Sequence, residues 1–127
     1  MIKTILKIKI LANKEQHEAL KSTMLLFNAV CNKFSDEAFR HSQFGKRELQ
    51  ELVYHPAKTW FEGFSSQLLI RAIDKVSASY KLNPTQQTFF RKYGAVVYDE
   101  RCLTFKSQEE ISIWTTFGRI KIPIHKK

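Results

Sequence analysis

Four histidines, two cysteines and twelve carboxylates are the residues of this chain that could carry covalent or metal-assisted chemistry. Their spacing argues against it. His17, His41, His55 and His125 follow no ligand pattern, and Cys31 and Cys102 stand alone, whereas a tetrahedral metal site wants paired ligands such as C-x-x-C. The adjacent carboxylates are Asp36-Glu37, Asp99-Glu100 and Glu109-Glu110. Neighbours on a helix or strand point apart, so these pairs read as solvated turns and helix faces. No glycine-rich loop suits a phosphate cradle. Both cysteines sit in apolar patterns, a poor setting for a thiolate paired with histidine. The expectation is a chain that is not itself an enzyme and uses neither metal nor cofactor.

The chemistry that the sequence does offer is cationic. Lys3, Lys7 and Lys9 share one face of an alternating N-terminal segment, and Arg119 and Lys121 recur with the same period near the other end, followed by Lys126 and Lys127. If the two segments are neighbours, these residues form one electropositive ridge that can follow a phosphate backbone. Gln67, Arg71 and Lys75 make a polar stripe at helical spacing, and Gln and Arg can contact base edges as well as phosphates. Phe89-Phe90-Arg91-Lys92-Tyr93-Gly94 interleaves aromatic and basic residues, the mixture that base stacking and phosphate contact both need, with Arg91 and Lys92 as its cations. Each of these features alone is also what a solvated surface looks like.

The charge balance sets them apart. Lys plus Arg is 21 against 12 for Asp plus Glu, a net charge of +9 in 127 residues. Such a chain attracts polyanions at long range, so nucleic acid, anionic membrane and acidic protein are the candidate partners. No run of about 18 apolar residues is present, so nothing is expected to span a bilayer. Met1 to Lys9 alternates apolar and basic residues and does not read as a signal peptide. The two cysteines allow one disulfide, but two buried free thiols in a reducing compartment are the expectation. Nucleic acid is therefore the expected partner, in the cytoplasm; the oligomeric state is not readable.

The elements that must position these residues follow from periodicity. Ile2, Leu6, Ile8 and Ile10 alternate with lysines, which predicts a half-buried strand. Asn13 with Gln16 three residues on predicts a capping box. Leu20, Met24, Phe27, Cys31, Phe34 and Ala38 then predict an amphipathic helix running to near Ser42, with Gly45 as its breaker. A short helix is expected from Lys46 to Val53. Pro56 and Gly63 bracket an expected irregular stretch. A third helix starts after Ser65 or Ser66, carries Leu69, Ala72, Ile73, Val76 and Tyr80 inward, and ends at Asn83-Pro84. Beyond Pro84 the period changes. Ala95 to Tyr98, Leu103 to Lys106, Ile111 to Thr115 and Arg119 to Pro123 read as strands, separated by turns at Asp99-Glu100, Ser107 to Glu109 and Phe117-Gly118. An early strand with no local partner must pair with strands from the far end. The predicted fold is thus α+β: a small antiparallel barrel or sheet, made of residues 1–12 and 85–127, interrupted by a helical insertion of about three helices at 13–84.

The run from Phe90 to Lys106, FRKYGAVVYDERCLTFK, resembles a stretch of the TnpB family, the OrfB-type transposases of insertion sequences, which are RNA-guided DNA endonucleases related to type V CRISPR effectors. Ile111 to Pro123 continues the likeness, as do Ser66-Gln67-Leu68, Ala72 to Val76, Tyr80-Lys81, and a first helix with Glu15-Gln16 at its start and Asn28 and Asn32 inside it. The likeness covers nearly the whole chain, and the order and spacing of its motifs are more specific than any one of them. It implies an OB-like wedge barrel carrying a helical recognition lobe, with guide-type RNA and duplex DNA as partners in a prokaryotic, nucleoid-associated setting. In such systems protein reads backbone shape and a short DNA motif while base pairing reads sequence. The resemblance suits Lys3, Lys7, Lys9, Arg119 and Lys121 to the backbone role, and Gln67, Arg71 and Lys75 to the motif role. The family's RuvC-like nuclease domain, with its acidic triad, has no counterpart in these residues. The expectation is a non-catalytic N-terminal part of a TnpB-like protein, with a nuclease-dead DNA-binding regulator as the alternative.

Overall fold

The computed structural model describes residues 8–98, 101–107 and 109–126, with the side chains of 8, 9, 125 and 126 left aside. Most of the predicted first strand, including Lys3 and Lys7, and the predicted turn at Asp99-Glu100 lie outside the described residues, as do Gln108 and Lys127.

Helix α1 spans Lys14–His41. Its capping box is formed as predicted: Gln16 N–H donates to Asn13 Oδ1 at 2.8 Å and Asn13 N–H donates to Gln16 Oε1 at 2.9 Å. Two of the four orphan donors of the first turn are thereby satisfied. The helix ends on Ser42, which adopts the left-handed conformation at φ 52°. Gly45, expected to break it, instead sits extended at the N-cap of the next helix.

Helix α2 spans Lys46–Trp60 and runs through Pro56, where a shorter helix and an irregular stretch were expected. A proline inside a helix deletes one backbone hydrogen bond. Here Pro56 is exposed, while Leu49, Val53 and Ala57 are fully buried at four-residue intervals. Burial of that stripe outweighs the missing bond, because tertiary packing supplies most of a helix's stability. Helix α3, Ser66–Leu82, starts at the Ser65 cap and stops at Asn83, both as predicted.

The chain is α+β, as expected. Strands β1 (Ile8–Ile10), β2 (Leu103–Phe105), β3 (Glu110–Thr115) and β4 (Gly118–Lys126) form an antiparallel sheet in the order β1-β4-β3-β2. Among the described residues the sheet is open. The N-terminal strand does find its partner at the far end of the chain: Ile8 faces Lys126 and Ile10 faces Ile124. The β3–β4 hairpin turns at Thr116-Phe117, one residue earlier than read from sequence. Gly118 follows at φ 104°, a backbone region that side chains with a Cβ rarely enter.

Two apolar clusters hold the elements together. Phe27, Phe34, Leu49, Leu69, Ile73 and Tyr80 belong to the larger one, between the helices. Ile111, Ile113, Ile122 and Ile124 form the smaller, on the face of the sheet that meets Ala12 and Leu20. Tyr98 packs against both. Helices and sheet are further tied by Phe64 set edge-on to Trp114 at 5.2 Å and by Thr116 N–H donating to Thr23 Oγ1 at 2.9 Å.

One predicted strand is not formed. Ala95 to Tyr98 carries no strand ladder, although its side chains are of strand type. Its backbone partners lie elsewhere: Lys75 Nζ donates to Ala95 O at 2.7 Å. Residues 88–95, read from sequence with the strands, are bound by side chains of the helices.

Candidate nucleic-acid interface

Residues 88–95 form a strap, with a tight turn at 91–94, whose backbone is held at several points by side chains of α1 and α3. Thr88 N–H donates to Tyr80 Oη, and Ser35 Oγ donates to Thr88 O. Asn32 brackets Phe90, accepting from its N–H at 2.7 Å and donating to its carbonyl at 3.0 Å. Asn28 Nδ2 donates to Lys92 O at 3.3 Å and to Gly94 O at 2.9 Å. As α1 runs back from Ser35 through Asn32 to Asn28, the strap runs forward from Thr88 to Gly94. The strap therefore crosses the helix antiparallel, with alternate residues 88, 90, 92 and 94 bonded inward. A Cβ at Gly94 would stand 3.0 Å from Asn28 Oδ1, close enough that the Asn28 amide would have to shift.

With its carbonyls bonded inward and the chain turning at 91–94, the strap leaves the side chains of Phe89 and of the turn residues to solvent. Phe89 is 75 % exposed and Tyr93 57 % exposed, and Arg91 and Lys92 are exposed with them. The aromatic and basic run picked out in the sequence is thus a surface row on a braced backbone. Sequence reasoning missed the bracing residues as functional. The available signal was three polar residues, Asn28, Asn32 and Ser35, interrupting an apolar helix face at spacings of four and three.

Beside the row lies an open groove of about 550 Å³ between the end of β1, α1 and the strap. Ile10, Leu20 and Met24 supply apolar lining, and His17, Lys21 and Tyr93 supply polar lining. Lys21 Nζ stands 5.7 Å from the centre of the Tyr93 ring, within cation–π range.

The other predicted site residues divide. Lys9 pairs with His125 through the backbone, so the first and last strands are neighbours as the ridge requires, while Lys3 and Lys7 lie outside the described residues. Lys121 is exposed on β4. Arg119 is committed to its own sheet: Nε donates to Ser112 Oγ at 2.7 Å, Nη1 to Arg101 O at 2.9 Å and Nη2 to Thr104 Oγ1 at 2.7 Å. It fastens β4 across β3 to β2, which holds its charge on the outer face but uses its fork geometry internally. On α3, Gln67 is half-buried, Arg71 pairs with Asp74 at 2.9 Å, and Asp74 also takes Lys46 at 2.9 Å. Lys75 is half-buried, between the rings of Phe27 and Phe90 at 5.6 and 5.4 Å, and bonded to the strap. The stripe expected to lie free on α3 is largely engaged inside the fold, because its cations face an acidic neighbour and the strap rather than open solvent.

Cys31 and Cys102 are both buried. Burial raises the Cys31 thiol to about 12, with nearby Lys75 pulling the other way. The Tyr98 phenol is also raised, first by burial and then by proximity to Cys102, and its hydroxyl donates to Trp114 O at 3.1 Å. The folded state thus keeps the Cys31 proton above the pH at which the unfolded thiol loses it. The stability this confers is complete below pH 9 and declines as pH rises from 9 towards 12. Denaturation midpoints are expected to fall above pH 9, by about 1.4 kcal/mol per pH unit from this group alone. A Cys31→Ser variant whose stability declines as steeply would refute that origin.

Among the described residues no cluster of three His, Cys, Asp or Glu side chains could hold a metal ion, and no helix is long and apolar enough to cross a membrane. In comparisons with known proteins, the chain matches no family model, no curated protein and no solved structure.

Proposed function

We propose that this chain binds nucleic acid, as the non-catalytic N-terminal part of a TnpB-like protein that holds guide-type RNA and duplex DNA. The observation that carries the reading is the braced row Phe89, Arg91, Lys92 and Tyr93 on a chain of net charge +9. Cations fixed on a rigid backbone meet phosphates at a lower ordering cost than cations on a loose loop, and exposed rings beside them offer stacking surfaces. The resemblance in the strap and in the β3–β4 hairpin supports the same partner. The proposal keeps a wedge barrel as the form of the sheet, and work in a prokaryotic cytoplasm at the nucleoid. Cleavage has no place in it for these residues.

The test is titration of the purified chain with structured RNA and with duplex DNA across a salt series. Binding is expected at about 50 mM salt, with log K falling linearly against log salt at a slope steeper than about −3, the signature of several neutralised phosphates. Absence of binding to both at that salt, or affinity indifferent to salt, would sink the proposal.

A further inference from the structure

We infer that the groove beside Tyr93 is a seat for a single unpaired nucleobase, so that the strap selects single-stranded stretches over duplex. This rests on the nucleic-acid reading and goes beyond it in naming strandedness and the residues that sense it.

The groove has what an extruded base needs. Ile10, Leu20 and Met24 offer apolar contact to its faces, and Tyr93 offers a ring that is more than half exposed. At about 550 Å³ the open groove has room for a base, and a base inside a duplex is stacked on both faces and has none to offer Tyr93. Lys21 Nζ lies over the ring at 5.7 Å and Arg91 is two residues before it, so cations stand close to where a stacked nucleotide carries its phosphates. Charge complementarity favours a nucleotide over an apolar peptide side chain, for which Lys21 and His17 in the lining would be a desolvation cost. The backbone that carries the ring is also held in place. Gly94 N–H closes a turn onto Arg91 O at 3.1 Å, and Asn28 fixes the carbonyls on either side of Tyr93. A base entering the groove therefore meets a preformed partner. Stacking of this kind is indifferent to base identity, because every base has a π-face.

The experiment measures binding of the intact chain to single-stranded oligonucleotides, RNA and DNA of one sequence, and to the matching duplex, for wild type, Tyr93→Ala and Tyr93→Phe. A 2-aminopurine placed mid-strand reports stacking directly. Tyr93→Ala is expected to weaken single-strand binding about tenfold, the effect of losing one base–aromatic stack, with duplex affinity, salt slope and thermal midpoint unchanged. Tyr93→Phe is expected to keep wild-type affinity and 2-aminopurine quenching. Equal loss for RNA and DNA places recognition on the base; loss for RNA alone places it on the ribose hydroxyl and overturns base seating. Unchanged single-strand affinity in Tyr93→Ala overturns the groove while leaving nucleic-acid binding standing. A wild-type chain that binds no oligonucleotide at low salt overturns both.

Discussion

Replacing Asn28 and Asn32 together by alanine is expected to destabilise the fold by about 3–5 kcal/mol and to free the strap. Contacts at Phe90 N–H and O, Lys92 O and Gly94 O depend on these two side chains, with the two protons of the Asn28 amide shared among Met24 O and the two strap carbonyls. Each contributes about 1 kcal/mol net, and a buried amide group left without a partner costs more. Asn28 is almost wholly buried, so water cannot take its place without opening the packing. Chemical denaturation of wild type and variant measures the difference, and amide exchange at Phe90 shows where it arises. A loss below about 1 kcal/mol would mean that the strap holds by its apolar contacts alone. The variant Asn32→Asp separates polarity from size. It keeps the acceptor for Phe90 N–H but sets an oxygen against the Phe90 carbonyl, and it is expected to destabilise where a mere shape requirement would not.

Reversing both cations of the outward row, Arg91→Glu with Lys92→Glu, is expected to lower affinity for structured RNA about 30- to 100-fold at low salt. Two phosphate neutralisations are lost and two repulsions gained, so the magnitude of the salt slope should fall by about two. Both side chains are exposed, so stability should change by less than about 0.5 kcal/mol. Affinity and slope that survive the reversal would move the binding surface off the strap, with exposed Lys121 on β4 as the next place to look.

How much of this was legible beforehand depends on the range of the interaction involved. The three helices were visible because each carries its apolar stripe within its own sequence, and Asn13 with Gln16 announces a cap that closes over three residues. Pairing of the first strand with the last followed by elimination, and the Ile10–Ile124 register bears it out. Pro56 misled because a local breaker was overruled by burial of Leu49, Val53 and Ala57, which only the assembled helices provide. Ala95 to Tyr98 misled for the same kind of reason: its composition suits a strand, but its backbone is bound by a lysine twenty residues away in sequence. The site was legible as a list of cations and rings. What each cation touches was not, since Arg119 and Lys75 read as free charges in sequence and serve as internal fasteners in the fold.

Beside the packing of the Phe90 ring, the hydrogen bonds from the helices to the strap run largely to main-chain N–H and C=O groups, at Thr88, Phe90, Lys92, Gly94 and Ala95. Every amino acid except proline presents those groups alike. The outward positions 89, 91 and 93 are therefore open to substitution at little cost to folding, which makes the strap a natural place for variation in binding preference to accumulate. A library randomised at those three positions should keep most of its members folded, and the scaffold would lend itself to selection for new ligands in the manner of a grafted recognition loop.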